Sequence, residues 1–186
     1  VYEFDLSTGA RLGKIRLGQP VADRGAVQRP GTNLLYVPAD ARRLYVIDAG
    51  GKDDDGNRVN PRCAQAIATG HVAGSLRVPP VFVGPDGLEE AQRLMVLCVA
   101  DGTARTQVRA YPVTAIPPGG GTVAETTAVP VASLPVPGWV AFPPVSDGER
   151  LALVTDTGHV RLFGVNQPGN ADKPLFALPC LLYTSD

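Results

Sequence analysis

Two histidines, three cysteines and one acidic run are the residues in this chain whose types could do chemistry. His71 follows Thr69-Gly70 in a linker-like stretch and His159 opens an apolar run; nothing in their spacing joins them. A nucleophile–His–carboxylate triad is not limited by sequence distance, but no Gly-x-Ser-x-Gly nucleophile elbow is present. Both histidines therefore read as ordinary surface or half-buried residues, and no catalytic residue is assigned. Cys63, Cys98 and Cys180 form no Cys-x-x-Cys pair, which disfavours a disulfide scaffold and a zinc site. Cys98 lies inside Leu94–Val99 and reads as a small buried hydrophobe.

The acidic run is Asp53-Asp54-Asp55-Gly56-Asn57. Oxygen ligands on Asp53, Asp55 and Asn57 alternate as a calcium loop requires. An EF-hand loop also needs Gly at its sixth position and an acid at its twelfth; counted from Asp53, these are Arg58 and Ala64. The run reads first as a solvated insertion and second as a calcium loop. Gly119-Gly120-Gly121 lacks a following Lys-Ser/Thr and a helix, so it is a loop and not a phosphate cradle. Asp40, Asp101 and Asp156 recur in turns, where Asp holds its own backbone; the alternative is a ring of carboxylates on one face. Trp139, the single Trp, reads as packing at the start of the final unit, with a ligand platform as the second reading.

Composition narrows the partners. Seventeen basic against eighteen acidic residues leave a net charge of -1, which gives no footprint for nucleic acid or an anionic membrane. No apolar stretch approaches the ~18 residues of a membrane span. Twenty-one glycines and eighteen prolines, about a fifth of 186 residues, lie below the ~25–30% of low-complexity disorder. Helical periodicity is confined to Leu88–Arg93, too short to stand alone.

Strands must therefore position whatever site exists. Leu34–Val37 with Arg43–Ile47, Leu94–Val99 with Gln107–Tyr111, and Leu151–Val154 with His159–Phe163 each flank an Asp-containing turn, the pattern of an antiparallel hairpin. Val108 and Ala110 share one parity and Val160 and Leu162 another, opposite Arg109 and Arg161; this predicts one core face and one partly wet face. A Pro-Val preface precedes each hairpin at Pro20, Pro80 and Pro144, spacings of 60 and 64, and the turn Asp stands at 40, 101 and 156. Two landmarks with a similar period mark a repeat. The excess over a minimal blade falls in insertions at Gly51–Pro61 and Thr114–Thr127. The expected fold is all-β: a partial β-propeller of four-stranded antiparallel blades, with a β-sandwich as the competitor. Units are expected at 1–18 (the end of a truncated blade), 19–70 and 74–135 (blades) and 138–179 (a partial blade). Val1–Phe4 already alternates like mid-strand sequence, so the chain is expected to start inside a domain. Residues 180–186 resemble the peptide made when a sequencing adapter is translated; they are either a non-native tail or a final strand.

Asp5-x-x-Thr8-Gly9 resembles the Asp-x-x-Thr-Gly element of pyrroloquinoline-quinone-type propeller repeats. In that family a Trp follows four residues after the Gly and docks between blades; this chain has Gly13 there. Thr69-Gly70 and Thr157-Gly158 repeat the last two residues, with Ala66 and Val154 in place of the Asp. The resemblance implies a bacterial, extracytoplasmic protein. The family includes non-enzymatic scaffolds, such as an outer-membrane-protein assembly lipoprotein, and quinone-dependent dehydrogenases. The dehydrogenases carry adjacent cysteines, a Trp platform and carboxylate calcium ligands; here the cysteines are far apart. The expected function is a non-catalytic scaffold, without a cofactor, binding a protein or extended ligand. The alternatives are a dehydrogenase fragment or a structural β-sandwich.

Overall fold

A computed structural model describes residues 1–21, 25–39, 43–52, 55–68, 76–84, 93–102, 104–113, 124–127, 129–166 and 173–179. Asp40, Asp53, Asp54, the Thr69–His71 stretch, the glycine run, most of Leu88–Arg93 and the tail from Cys180 lie outside them.

The fold is all-β. A first hairpin pairs β1 (Tyr2–Phe4) with β2 (Arg11–Lys14). The second sheet runs from a short inner strand, β3 (Val27–Gln28), through β4 (Leu34–Ala39) and β5 (Arg43–Asp48). A small hairpin, β6 (Gly51–Lys52) with β7 (Arg58–Val59), interrupts it before β8 (Arg62–Ala68). The third sheet repeats this plan with β9 (Val81–Val83), β10 (Leu94–Ala100) and β11 (Arg105–Pro112). The chain then visits the second sheet as β12 (Ala124–Thr127), parallel to β8, and returns as β13 (Ala132–Pro137) to complete the third. The fourth sheet is β14 (Val145–Ser146), β15 (Arg150–Val154), β16 (Val160–Val165) and β17 (Leu175–Ala177) in consecutive order. Each of these three sheets thus holds four antiparallel strands, and the unit expected to be partial, 138–179, has a full set.

The sheets stack in series. Val37, Ala39, Tyr45 and Ile47 of the second sheet pack with Ile15 and Leu17, which follow the first hairpin. Tyr36, Leu44 and Val46 on its other face meet Met95, Leu97, Val99 and Tyr111 of the third. Val96, Cys98, Val108 and Ala110 on the far face of the third meet Leu151, Leu153 and Phe163 of the fourth. The third sheet is therefore core on both sides along β10, whereas on β11 Gln107 and Arg109 remain half-exposed opposite Val108 and Ala110, the partly wet face expected. That cover explains why β10 reads as an unbroken apolar run, the signature of a strand covered on both faces. A two-sheet sandwich buries one face of each sheet; this arrangement is blade-like. In β16 the parity is reversed from expectation: Phe163 and Val165 are buried, and Val160 is exposed.

Isolated antiparallel bridges show where the repeats align. Val21 pairs with Ala39, Leu76 with Val99 and Val140 with Thr155, each just ahead of the inner strand of its sheet. Ala39, Val99 and Thr155 are thus equivalent, as are Tyr36, Val96 and Ala152. The Pro-Val prefaces are not all equivalent: Val81 and Val145 begin inner strands, whereas Val21 forms the bridge and Val27 begins the strand. The segment 114–127, expected as a loop insertion, contains β12.

Leu97 and Val108 are fully buried on opposite faces of the third sheet. Leu97→Ala should cost about 2–5 kcal/mol and Val108→Ala about 1 kcal/mol or more. Urea unfolding measures both; a near-neutral result at either position would mean that its face is not core.

Candidate functional site

The turn between β10 and β11, the turn between β15 and β16, and the segment leading into the fourth sheet meet at one end of the stack. Gly138 N donates to Ala104 O at 2.7 Å, tying the third sheet's turn to that segment. Thr106 Oγ1, buried, donates to Gly138 O at 2.9 Å and accepts from Val140 N at 3.2 Å. Trp139 N donates to Asp156 Oδ1 at 2.7 Å, and Asp156 N donates to Trp139 O at 2.8 Å. A Cβ on Gly138 would lie 2.6 Å from Thr157 Oγ1 and 2.9 Å from Thr155 Cβ, and its φ is +84°. Only glycine fits this approach without strain.

Around this junction the surface is polar with one aromatic ring. The Arg77 guanidinium stacks 4.1 Å from the Trp139 ring centroid, a cation–π contact. Trp139 is half-buried, and its Nε1 is buried without a hydrogen-bond partner. Thr157 Oγ1 lies 3.0 Å from His159 Nδ1 and 2.9 Å from Thr155 Oγ1. Arg105 Nη2 and Gln107 Nε2 donate to Asp101 Oδ2 at 2.6 and 3.2 Å. These bonds, Gln107's foremost, hold the Asp101 carboxyl below the usual aspartate range.

Of the three recurrent aspartates, Asp40 lies outside the described residues. Asp101 accepts from the Arg105 and Gln107 side chains and Asp156 from Trp139 N, so neither carboxylate holds the backbone of its own turn as expected. Their ladders also show that they are not strict equivalents: Asp156 matches Ala100, one residue before Asp101. Sequence spacing concealed Arg77 as well; it is distant in the chain from Trp139, and no local signal marks it.

The Asp-x-x-Thr-Gly element forms the turn of the first hairpin. Asp5 Oδ1 accepts from Ser7 Oγ (2.6 Å), Ser7 N (2.8 Å) and Thr8 N (3.1 Å), and Gly9 takes φ +69°. The Ser7 bonds chiefly lower the Asp5 carboxyl below its ordinary range. Gly13, where the repeat family places Trp, lies against the next sheet: a Cβ there would sit 3.1 Å from Pro61 Cγ. Beside it an apolar cavity of about 80 Å³ is lined by Tyr2, Gly13, Ile15, Leu35, Ile47 and Pro61. That is far below the ~300 Å³ of a small ligand's pocket.

Asp55, Gly56 and Asn57 of the acidic run lie between β6 and β7. Asp55 and Asn57 are exposed, and Gly56 adopts φ +81° to turn the chain; Asp53 lies outside the described residues. Among the described residues no group of three His, Cys, Asp or Glu side chains converges on a metal position. Cys98 is buried in the core, and burial pushes its thiol up to about 12. Cys63 is half-buried, its thiol also raised by burial, and it donates to Gln65 O at 3.6 Å. Neither is a thiolate nucleophile near neutrality. Among the described residues no helix is long and apolar enough to cross a membrane.

Comparison with protein-family models, curated proteins and solved structures gives no match to this chain.

The Asp101 bonds set a pH dependence. Its folded pKa lies below the unfolded value near 3.8, so its contribution is complete above that value and fades as pH falls through the folded pKa. Asp101→Asn should flatten the decline in melting temperature below about pH 5; an unchanged acid limb would show that these bonds do not persist in solution. Gly138→Ala should cost at least about 1 kcal/mol through its left-handed backbone, measured by the same melts, and an Ala variant as stable as wild type would refute the close packing.

Proposed function

We propose that these sheets are blades of a β-propeller of the pyrroloquinoline-quinone repeat type, and that this region is a non-catalytic scaffold binding a protein or extended ligand on its turn end. The observation that carries the reading is the serial stacking of equivalent sheets, which brings the turns of the third and fourth together through Gly138 and Ala104 into one continuous surface. Arg77, Trp139, Arg105 and His159 on that surface offer stacking and charge to a partner. Radial stacking is how a sheet that is apolar on both faces covers itself. The Asp5–Gly9 turn and the interblade cavity beside Gly13, where the family's Trp would dock, further support the repeat assignment. With that assignment comes a bacterial, extracytoplasmic setting.

A quinone-dehydrogenase fragment is the reading this one displaces. Its adjacent cysteines have no counterpart in Cys63 and Cys98, which stand on different sheets.

Two experiments test the proposal. Titration with pyrroloquinoline quinone and calcium should give no saturable heat; micromolar or tighter binding would restore the dehydrogenase reading. Binders selected from a peptide display library against the wild-type chain should fail to bind Trp139→Ala and Arg105→Glu, yet retain affinity for Asp55→Ala between β6 and β7. Binders indifferent to the first two variants would remove the turn end as the binding surface.

A further inference from the structure

The outer strands of the three larger sheets are built differently. β13 carries Pro135 and Pro137, and β17 is three residues long. Both devices blunt an edge. β8 runs for seven residues, Arg62–Ala68, with no proline inside it. An edge of that kind presents a row of backbone N–H and C=O groups, a template for pairing with an extended segment. The chain itself uses the template: β12 lies along Gln65–Ala68 as a fifth strand, where the third and fourth sheets have four.

β12 is an accessory to both sheets that it joins. β11 pairs directly with β13, so the third sheet closes without it. The strands β3, β4, β5 and β8 already make the four-strand set of the second sheet. Among the described residues its ladder is the one parallel pairing, the slightly weaker kind. Its sequence, Ala124-Glu125-Thr126-Thr127, offers no large apolar residue for burial. The acceptor strand is small and apolar at alternate positions. Ala66 and Ala68 stand opposite Glu125 and Thr127, and Ala66 is 5% exposed, within the cluster of Val37, Tyr45 and Ile47. Small residues on an acceptor leave space for large ones on an incoming strand, and alternate side chains give strand addition its specificity.

We infer that the outer edge of β8 is a strand-acceptor site for an extended peptide. The peptide enters parallel to β8 in the place of β12 and brings apolar residues to the positions of Glu125 and Thr127. β12 is then the occupant in cis. The short connection from Thr127 to Ala132 of β13 keeps its effective concentration high. Backbone pairing is common to both strands, so the peptide displaces β12 through the apolar area it buries beside Ala66. The inference rests on the sheet edges, and not on the turn-end surface or the repeat assignment. Trp139→Ala should leave peptide affinity unchanged, so either proposal can fail alone.

The probe is a fluorescent synthetic peptide of residues 122–129 carrying Glu125→Val and Thr127→Val, with a lysine at each end for solubility. Its anisotropy should report binding to a chain with Glu125→Pro and Thr126→Pro at least about tenfold tighter than to wild type, because proline removes the ladder donors of β12 and frees the edge. The unaltered 122–129 peptide should bind that variant more weakly. A nitroxide at the N terminus of the valine peptide should broaden the amide resonance of Cys63 more than that of Ala68, as parallel entry requires. Should circular dichroism show that the proline pair unfolds the chain, Gly-Ser-Gly-Ser in place of 124–127 substitutes for it. Equal affinity for wild type and the folded variant overturns the inference, and so does binding to neither. Stronger broadening at Ala68, or broadening centred on Thr106 and Gly138, refutes the site as described, and an unaltered peptide that binds as tightly refutes its apolar preference.

Discussion

The interiors of these sheets are apolar on both sides, and no single sheet can cover both. Burying a Val or Leu side chain is worth about 1.5–3 kcal/mol, and the third sheet alone places Val96, Leu97, Val99 and Val108 in two separate cores. Serial stacking follows from that composition, because each sheet becomes the cover of its neighbours. The inner strands are short, two or three residues each. There the third and fourth sheets are also tied by Gly84 N donating to Gly148 O at 2.9 Å.

With the apolar residues committed to stacking, the polar ones are drawn into turns. Asp5, Asp147 and Asp156 accept from backbone N–H groups, and Thr106 bridges two segments from a fully buried position. A carboxylate that accepts such bonds is engaged with the chain itself. Asp5 and Asp147 close their own turns in this way, whereas Asp156 ties its turn to Trp139. Beside these turns the Arg77 guanidinium and the Trp139 ring meet in a cation–π contact.

Edges are managed separately from faces. β12 leaves the third sheet to lie parallel along β8, so the outer edge of the second sheet is paired and the two sheets are strapped together. Pro135 and Pro137 stand on β13, the outermost strand of the third sheet. There a missing N–H costs no ladder bond, and proline discourages pairing with another chain.

The strand content, the three hairpins and the rough repeat were legible in the sequence because they rest on local signals. Apolar runs such as Leu94–Val99 and Asp- or Gly-bearing turns are written within a few residues. The Asp5–Gly9 turn was legible for the same reason. Which face of each strand is core was not. Val160 and Leu162 alternate with Arg161 just as Val108 and Ala110 alternate with Arg109, yet only the latter pair is buried. The difference is the presence of a following sheet, which strand sequence does not encode. The register of the repeats also needed three dimensions: the Pro-Val preface at Val21 looks like those at Val81 and Val145, but the ladder places Val21 beside Ala39. Contacts between segments far apart in the chain, Arg77 on Trp139, β12 on β8 and Gly13 against Pro61, were decided by packing alone. Their energies depend on which sheets come together, and no residue pattern within either segment specifies that.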